Sequence, residues 1–317
     1  IDDDYEGAKD DFLKSIEEEP NDAETYFGLG NVYDSLNDEE NAVKCWDKSI
    51  ELDPTKPDSY FNRGLTIYFD DAESAINDFE KVLEIEQDNA SALACIGDIY
   101  AEEMEYRKAI KYLDKAIELD DSIHKAYSRR AECRREFKDF KGALSDTYKA
   151  YEIDPEAVFP SLMIDAASDH YQLGEFQKAI DLLNEEIDDP SDYLDVDLYI
   201  QRGRYKKFAG DIEGANSDLM IAYKEVDKKI TESDEFEESE ISNRAEIKEL
   251  LDDFNGAISD YNQLLEFGFS HWKRIYRCKS GKCKKALGDI KGACKDWKKA
   301  AELGDEDAAK LLEEHCE

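Results

Sequence analysis

Cys278, Cys283, Cys294 and Cys316 lie near the C-terminal end of the sequence, with His271 close by. Thiolates and an imidazole are the donor set of a zinc centre. On a helix, however, Cys278 and Cys283 stand about 140° apart around the axis, too far to share one coordination sphere. The remaining histidines, His124, His170 and His315, are scattered along the chain, and none sits at general-base spacing from a nucleophile. Ser122 to Lys125 spells SxxK, and "GLGNVYD" begins like a dinucleotide loop, but the first has no partner motif and the second lacks its third glycine. No HExxH and no P-loop occurs. The seven cysteines are odd in number and follow no repeating frame, which predicts free thiols in a reducing compartment. No catalytic residue, cofactor or metal is expected.

The denser chemistry is cationic. Within "HKAYSRRAECRREFKDFKGALSD" (124–146), Arg129, Arg130, Arg134, Arg135, Lys138 and Lys141 fall in a chain of formal net charge -38. Residues 271 to 299 hold eleven Lys or Arg against Asp289 and Asp296, a local +9. A guanidinium offers bidentate recognition of carboxylate or phosphate. The overall field opposes a nucleic-acid partner, since phosphate affinity needs a sustained basic surface. The cations therefore either tie the fold together or face a smaller acidic ligand, and the elements that carry them decide which.

Those elements repeat. Ala8, Ala42, Ala75, Ala109, Ala143, Ala179, Ala215, Ala257 and Ala293 recur at spacings of 34, 33, 34, 34, 36, 36, 42 and 36. Four residues after each come Phe12, Trp46, Phe79, Leu113, Thr147, Leu183, Leu219, Tyr261 and Trp297, and Pro20, Pro54 and Pro155 follow twelve after. An amphipathic segment precedes each alanine, as in "AETYFGLGNVYDSLND", so each repeat holds two helices. We number each repeat so that the alanine is position 20 and the small residue of the preceding helix is position 8. Gly30, Gly64, Gly97, Ala131, Ala167, Gly203, Ala245 and Gly281 occupy position 8, where a larger side chain would hold the two helices apart. Tyr26, Tyr60, Leu93, Tyr127 and Tyr199 hold position 4.

In spacing, phase and residue type the sequence resembles the tetratricopeptide repeat family. The resemblance implies an all-α, right-handed superhelical solenoid of antiparallel helix pairs that binds proteins or peptides in a concave groove and does not catalyse. Seven repeats are expected over 1–226, an acidic insertion and hinge over 227–240, two more repeats over 241–304, and a capping helix over 305–317 that resembles a Sel1-like repeat. The first repeat begins at its second helix.

One pairing separates structural cations from the rest. Position 7 is Arg63, Arg130, Arg202 or Arg244 in four repeats, and in the same four position 23 is Asp78, Asp146, Asp218 or Asp260. Elsewhere the two positions carry Leu29 with Cys45, Ile96 with Tyr112, Ala166 with Leu182, and Ser280 with Asp296, the last being the exception. An Arg–Asp bridge between the paired helices is predicted in each of the four.

Positions 2, 5, 6, 9, 12 and 13 face away from the packing side of the first helix and, by the resemblance, line the groove. The best candidates for contact are Asn31, Asn62, Lys125, Arg129, Arg135, Arg204 and Lys207, in a groove running from acidic to basic that orients its peptide. Lys125 and Arg129 match two cations of the family's clamp for a chaperone C-terminal carboxylate, whereas Phe61, Leu65 and Cys95 break the rest of it. A different peptide is therefore expected. The alternatives are a self-assembling scaffold and the regulatory part of a larger protein. No run of apolar residues is long enough for a membrane span. The remaining expectations are a cytoplasmic location and a monomer or weak dimer.

Overall fold

A computed structural model describes residues 4–158, 161–187, 195–232, 238–266 and 272–316. All its regular elements are helices. Repeat 1 is α1 (Tyr5–Glu18), repeat 2 is α2 (Ala23–Ser35) with α3 (Glu39–Leu52), and repeat 3 is α4 (Pro57–Ile67) with α5 (Ala72–Ile85). Repeats 4 and 5 are α6 (Ala90–Glu102) with α7 (Tyr106–Leu119), and α8 (His124–Glu136) with α9 (Phe140–Ile153). After α10 (Pro155–Val158), repeat 6 is α11 (Ser161–Gln172) with α12 (Phe176–Ile187). Repeat 7 is α13 (Val196–Ala209) with α14 (Ile212–Glu232), and repeat 8 is α15 (Glu238–Leu250) with α16 (Phe254–Glu266). Repeat 9 is α17 (Lys273–Ala286) with α18 (Ile290–Glu302), and α19 (Glu306–His315) follows where the capping helix is expected. The chain forms two compact bodies, Ile1–Asp169 and His170–Glu317.

The core is the repeat written in side chains. Ala42, Ala75, Ala109, Ala143, Ala257 and Ala293 are fully buried, and the large residue one turn later fills the space over position 8. A Cβ on Gly30 would lie 2.5 Å from Trp46 Nε1, and one on Gly281 would lie 2.4 Å from Trp297 Nε1. Where position 24 is the small Thr147, position 8 is Ala131. Alanine also holds position 8 where position 24 is large, in Ala167 with Leu183 and Ala245 with Tyr261.

Each turn within a repeat is closed by a feature that the alanine register does not reveal. Position 15 adopts a left-handed conformation in Asn37, Met104, Lys138, Gly174, Gly210, Asp252 and Gly288. Its N–H and that of position 16 bond back to the carbonyls of positions 12 and 11, as in Asn37 to Asp34 and Asp38 to Tyr33, which satisfies the last carbonyls of the first helix. Position 16 then caps the second helix, with Asp38, Asp71, Asp139, Asp211, Asp253 and Asp289 accepting from the N–H three residues on. Repeat 3 has no residue at position 15. Its spacing of 33 is this single omission, and α4 instead ends with Asp70 and Asp71 both donating to the Ile67 carbonyl.

The longest spacing, 42, has a different cause. α14 runs 21 residues, and its added turns bury Val226. The middle of the expected hinge, residues 233–237, lies outside the described residues.

One expectation is corrected. Cys294 and Cys316 form a disulfide, with Cα atoms 5.8 Å apart, because α19 folds back on α18 and closes a separation of 22 residues. Cys45, Cys95, Cys133, Cys278 and Cys283 are free thiols.

Candidate functional site

The four predicted Arg–Asp bridges are present and bidentate. Arg63 donates through Nε and Nη2 to Asp78 at 2.8 and 2.5 Å, Arg130 to Asp146 at 2.9 and 2.7 Å, Arg202 to Asp218 at 2.9 and 2.8 Å, and Arg244 to Asp260 at 3.1 and 2.8 Å. The carboxylates are deeply buried, at 2 to 4% exposure. Two further partners escape the pairwise rule. Position 11 supplies a second cation to the same Asp through Arg134, Lys206 and Lys248, each at 2.7 or 2.8 Å. Position 25 of the preceding repeat accepts from the remaining guanidinium nitrogen through Asp47, Asp114 and Asn184, so each of these arginines joins three helices. Arg244 reaches Asp227 on the extended α14 instead. The exception, Asp296, obeys the same chemistry: Lys284 at position 11 bonds it, Ser280 donates at 3.1 Å, and Arg277 lies 3.6 Å away.

The outward residues of neighbouring first helices form a second ladder, from position 9 of one repeat to position 6 of the next. Asn31 Oδ1 accepts from Asn62 Nδ2 at 2.8 Å and from Trp46 Nε1 at 3.1 Å. Asp98 meets Arg129, and Glu246 accepts from Lys279 at 2.9 Å. Leu65 and Cys95 hold the corresponding positions between the two asparagines and the first ion pair.

Partners within the chain account for the state of six of the seven candidates, three of them through this ladder. Arg129 is ringed by Asp98, by Glu102 at 3.1 Å and by Glu132 at 3.0 Å. Arg135 spans Asp169 at 2.8 Å, Asp165 at 3.0 Å and the Thr147 hydroxyl at 2.9 Å. Both arginines lie in the first body, and acids, not open solvent, take up their donors. Lys125, by contrast, is exposed and makes no ion pair with the described residues. In the second body Arg204 bonds Glu246, and Lys207 donates to the Leu250 carbonyl at 2.6 Å and to Asp252 at 2.9 Å, closing the end of α15. Burial pushes the Glu246 carboxyl up, but Lys279 and Arg204 together hold it below its ordinary value.

Burial also raises the Asp98 carboxyl, against the pull of Arg129. Beside it, Tyr68 donates to Glu102 at 2.8 Å and packs on Phe69 with ring centroids 3.9 Å apart. Phe69 is 81% exposed and Leu65, one turn earlier, 46%. Phe69 lies in the turn that lacks position 15. The signal was available as the spacing of 33, although the exposure of the ring does not follow from spacing alone.

Among the described residues, reactive side chains are not gathered elsewhere. Burial pushes the free thiols up, Cys45, Cys133 and Cys278 to about 11 and Cys95 and Cys283 to about 12, so none is a thiolate at neutral pH. No group of three or more His, Cys, Asp or Glu among the described residues is placed to hold a metal. His271 lies outside the described residues. No described helix is long and apolar enough to cross a membrane.

Tetratricopeptide repeat models match residues 23–56 and 96–158. The CTR9 homolog of Arabidopsis thaliana is 25% identical over 179 residues, 54% of this chain and 16% of that protein. A TPR repeat-containing protein of Methanocaldococcus jannaschii is 27% identical over 144 residues, 42% of this chain and 25% of its own. These matches span a quarter or less of the relatives' own length. The crystal structure of a tetratricopeptide repeat protein from Parabacteroides merdae aligns over 92% of this chain and 97% of that one, at a TM-score of 0.57 and 15% identity, a likeness of fold. Helix pairs in a constant register, a small residue beneath a large one in most repeats, and models matching in repeats 2, 4 and 5 show that this chain carries tetratricopeptide repeats, units whose arrays are scaffolds for protein interaction.

Proposed function

We propose that the first body holds an extended protein segment against the outward face of α2, α4, α6 and α8, and that the segment carries apolar and cationic side chains. The observation behind this reading is the pairing of exposed Phe69 and Leu65 with the acidic wall of Asp98, Glu102 and Glu132. A large exposed ring next to half-exposed carboxylates favours a partner that covers the ring and brings its own cation. Arg129 and Arg135, at the centre of the expected groove, are paired with acids of the chain itself. Of the seven candidates, Asn31 and Asn62 act as a hydrogen-bonding rung, Lys125 as an open donor, and Arg129 as a cation that a ligand carboxylate reaches only by displacing an acid. Arg135, Arg204 and Lys207 belong to the framework. The chain then acts as a binding scaffold and not as an enzyme.

Fluorescence anisotropy with a labelled peptide that alternates Lys and Leu tests this. Affinity in the micromolar range, about -8 kcal/mol, is expected. Phe69→Ser should weaken it about tenfold, and Asp98→Asn with Glu102→Gln should flatten its salt dependence. Binding indifferent to both changes would remove the proposed face from consideration.

A further inference from the structure

The outer face of α18 carries Lys291, Lys295, Lys298 and Lys299, all exposed. At i, i+4, i+7 and i+8 they fall within about 100° of the helix circumference and form one stripe. None of the four makes an ion pair with a described residue. Glu302 stands three residues after Lys299 without closing on it, Asp289 is spent on the Gly292 N–H, and Asp296 is buried under Lys284. α17, packed alongside, contains no acidic residue and adds the exposed Lys282.

Several of the other second helices neutralise these positions, although α7 carries Arg107 and Lys111 at positions 18 and 22. Position 18, Lys291 here, is Glu40 in α3 and bonds Lys44 at position 22. Position 26, Lys299 here, is a lysine bonded to position 29 in Lys48–Glu51, Lys81–Glu84 and Lys149–Glu152. Position 25, Lys298 here, is the acid or amide that ties down the next repeat's arginine in Asp47, Asp114 and Asn184. Like charges one turn apart weaken a helix, and α18 adds Lys298 where α3 and α7 carry an acid.

We infer that the lysine stripe of α18 is a docking surface for an extended acidic segment of a partner protein. Lys291, Lys295 and Lys299 stand four residues apart and rise about 6 Å per step along the axis, close to the roughly 6.6 Å between alternate residues of an extended chain, so carboxylates at every second position meet them in register, with Lys298 beside the last. The stripe belongs to the second body and is separate from the face assigned to the proposed function. An extended polyanion, whether a membrane surface or a nucleic acid, would also meet Glu306, Asp307, Glu313 and Glu314 of α19 and the field of a chain at -38. A short acidic segment stays within one screening length of the lysines.

The test is anisotropy with a fluorescein-labelled peptide that alternates Glu and Gly, alongside sedimentation with phosphatidylserine–phosphatidylcholine vesicles. The whole chain should bind the peptide with a steep salt dependence. Lys291→Gln/Lys295→Gln/Lys298→Gln should weaken it about tenfold, and Phe69→Ser should leave it unchanged. Circular dichroism verifies that the triple variant folds; if it does not, Lys291→Gln and Lys298→Gln singly carry the test, each with about a threefold loss. No peptide binding, equal binding by wild type and variants, or capture by vesicles without binding of the peptide would overturn the inference.

Discussion

Removing Arg63 should cost more than removing any other arginine of its class. Asp78 is 4% exposed and receives two bonds from Arg63, and position 11 of its repeat is Ile67, so no second cation stands by. Arg63→Met leaves a buried carboxylate without a counter-charge, at about 4 kcal/mol. Arg202→Met leaves Lys206 at 2.8 Å on Asp218, and Arg244→Met leaves Lys248 at 2.8 Å on Asp260. Each of these should cost about 2 kcal/mol, the loss of charged hydrogen bonds without the stranded charge. The chain also indicates its own remedy, since repeat 4 fills the same two positions with Ile96 and Tyr112. Arg63→Ile/Asp78→Tyr should recover to within about 1 kcal/mol of the parent, because a well-packed apolar pair replaces a buried ion pair at little cost. Urea unfolding followed by circular dichroism, with hydrogen exchange of the α4 and α5 amides as the local readout, measures all four variants. Equal losses for Arg63→Met and Arg202→Met would refute the role of position 11, and a double variant worse than Arg63→Met would refute the stranded-charge argument.

Gly30→Ala pushes Trp46 off its seat and should cost about 1 to 3 kcal/mol in thermal unfolding, more than Gly64→Ala, whose Cβ would stand 3.1 Å from Phe79. Glu246, held below its unfolded value by Lys279 and Arg204, contributes stability above the ordinary carboxylate range that disappears as pH falls through its lower folded value. Glu246→Gln should therefore destabilise the chain at neutral pH and little at strongly acidic pH, as acid titration of the urea midpoint would show. Alkylation of the unfolded, unreduced chain should add label to five cysteines and, after reduction, to seven. Loss of the bridge through Cys316→Ser should cost roughly 3 kcal/mol, read as faster hydrogen exchange in α19.

Most of the fold is legible in the sequence because an array repeats its packing rule. The alanine at position 20 and the small residue at position 8 must recur wherever two helices press together. The Arg–Asp bridges are legible for the same reason, since two positions that vary together across repeats expose their contact. Position 11 is less open to reading. A wheel assigns it to the packing side, where Ile67, Tyr100 and Arg134 are equivalent in angle, and only the depth of Asp146 shows that the arginine reaches inward. The disulfide depends on how sharply α18 turns into α19, and no cysteine spacing contains that. The partners of a groove cation are less legible, because a reading from one helix ignores the acid offered by the next: Arg129 looks free until Asp98 and Glu102 are placed beside it.

The ladder from position 9 to position 6 also bears on how such a gene can change its length. Suppose unequal crossing-over removed repeat 4 whole. Glu80 would then come to stand where Asp114 serves Arg130, and an acid would still meet the guanidinium. On the opposite face Leu65 would inherit Arg129, and a rung that had been carboxylate to cation would become methyl to cation. This tie thus tolerates the loss of repeat 4, whereas the rung records the order in which the repeats stand. Descendants of such an event would keep their fold and lose their old ligand, so changes in repeat number give this architecture a route to new partners.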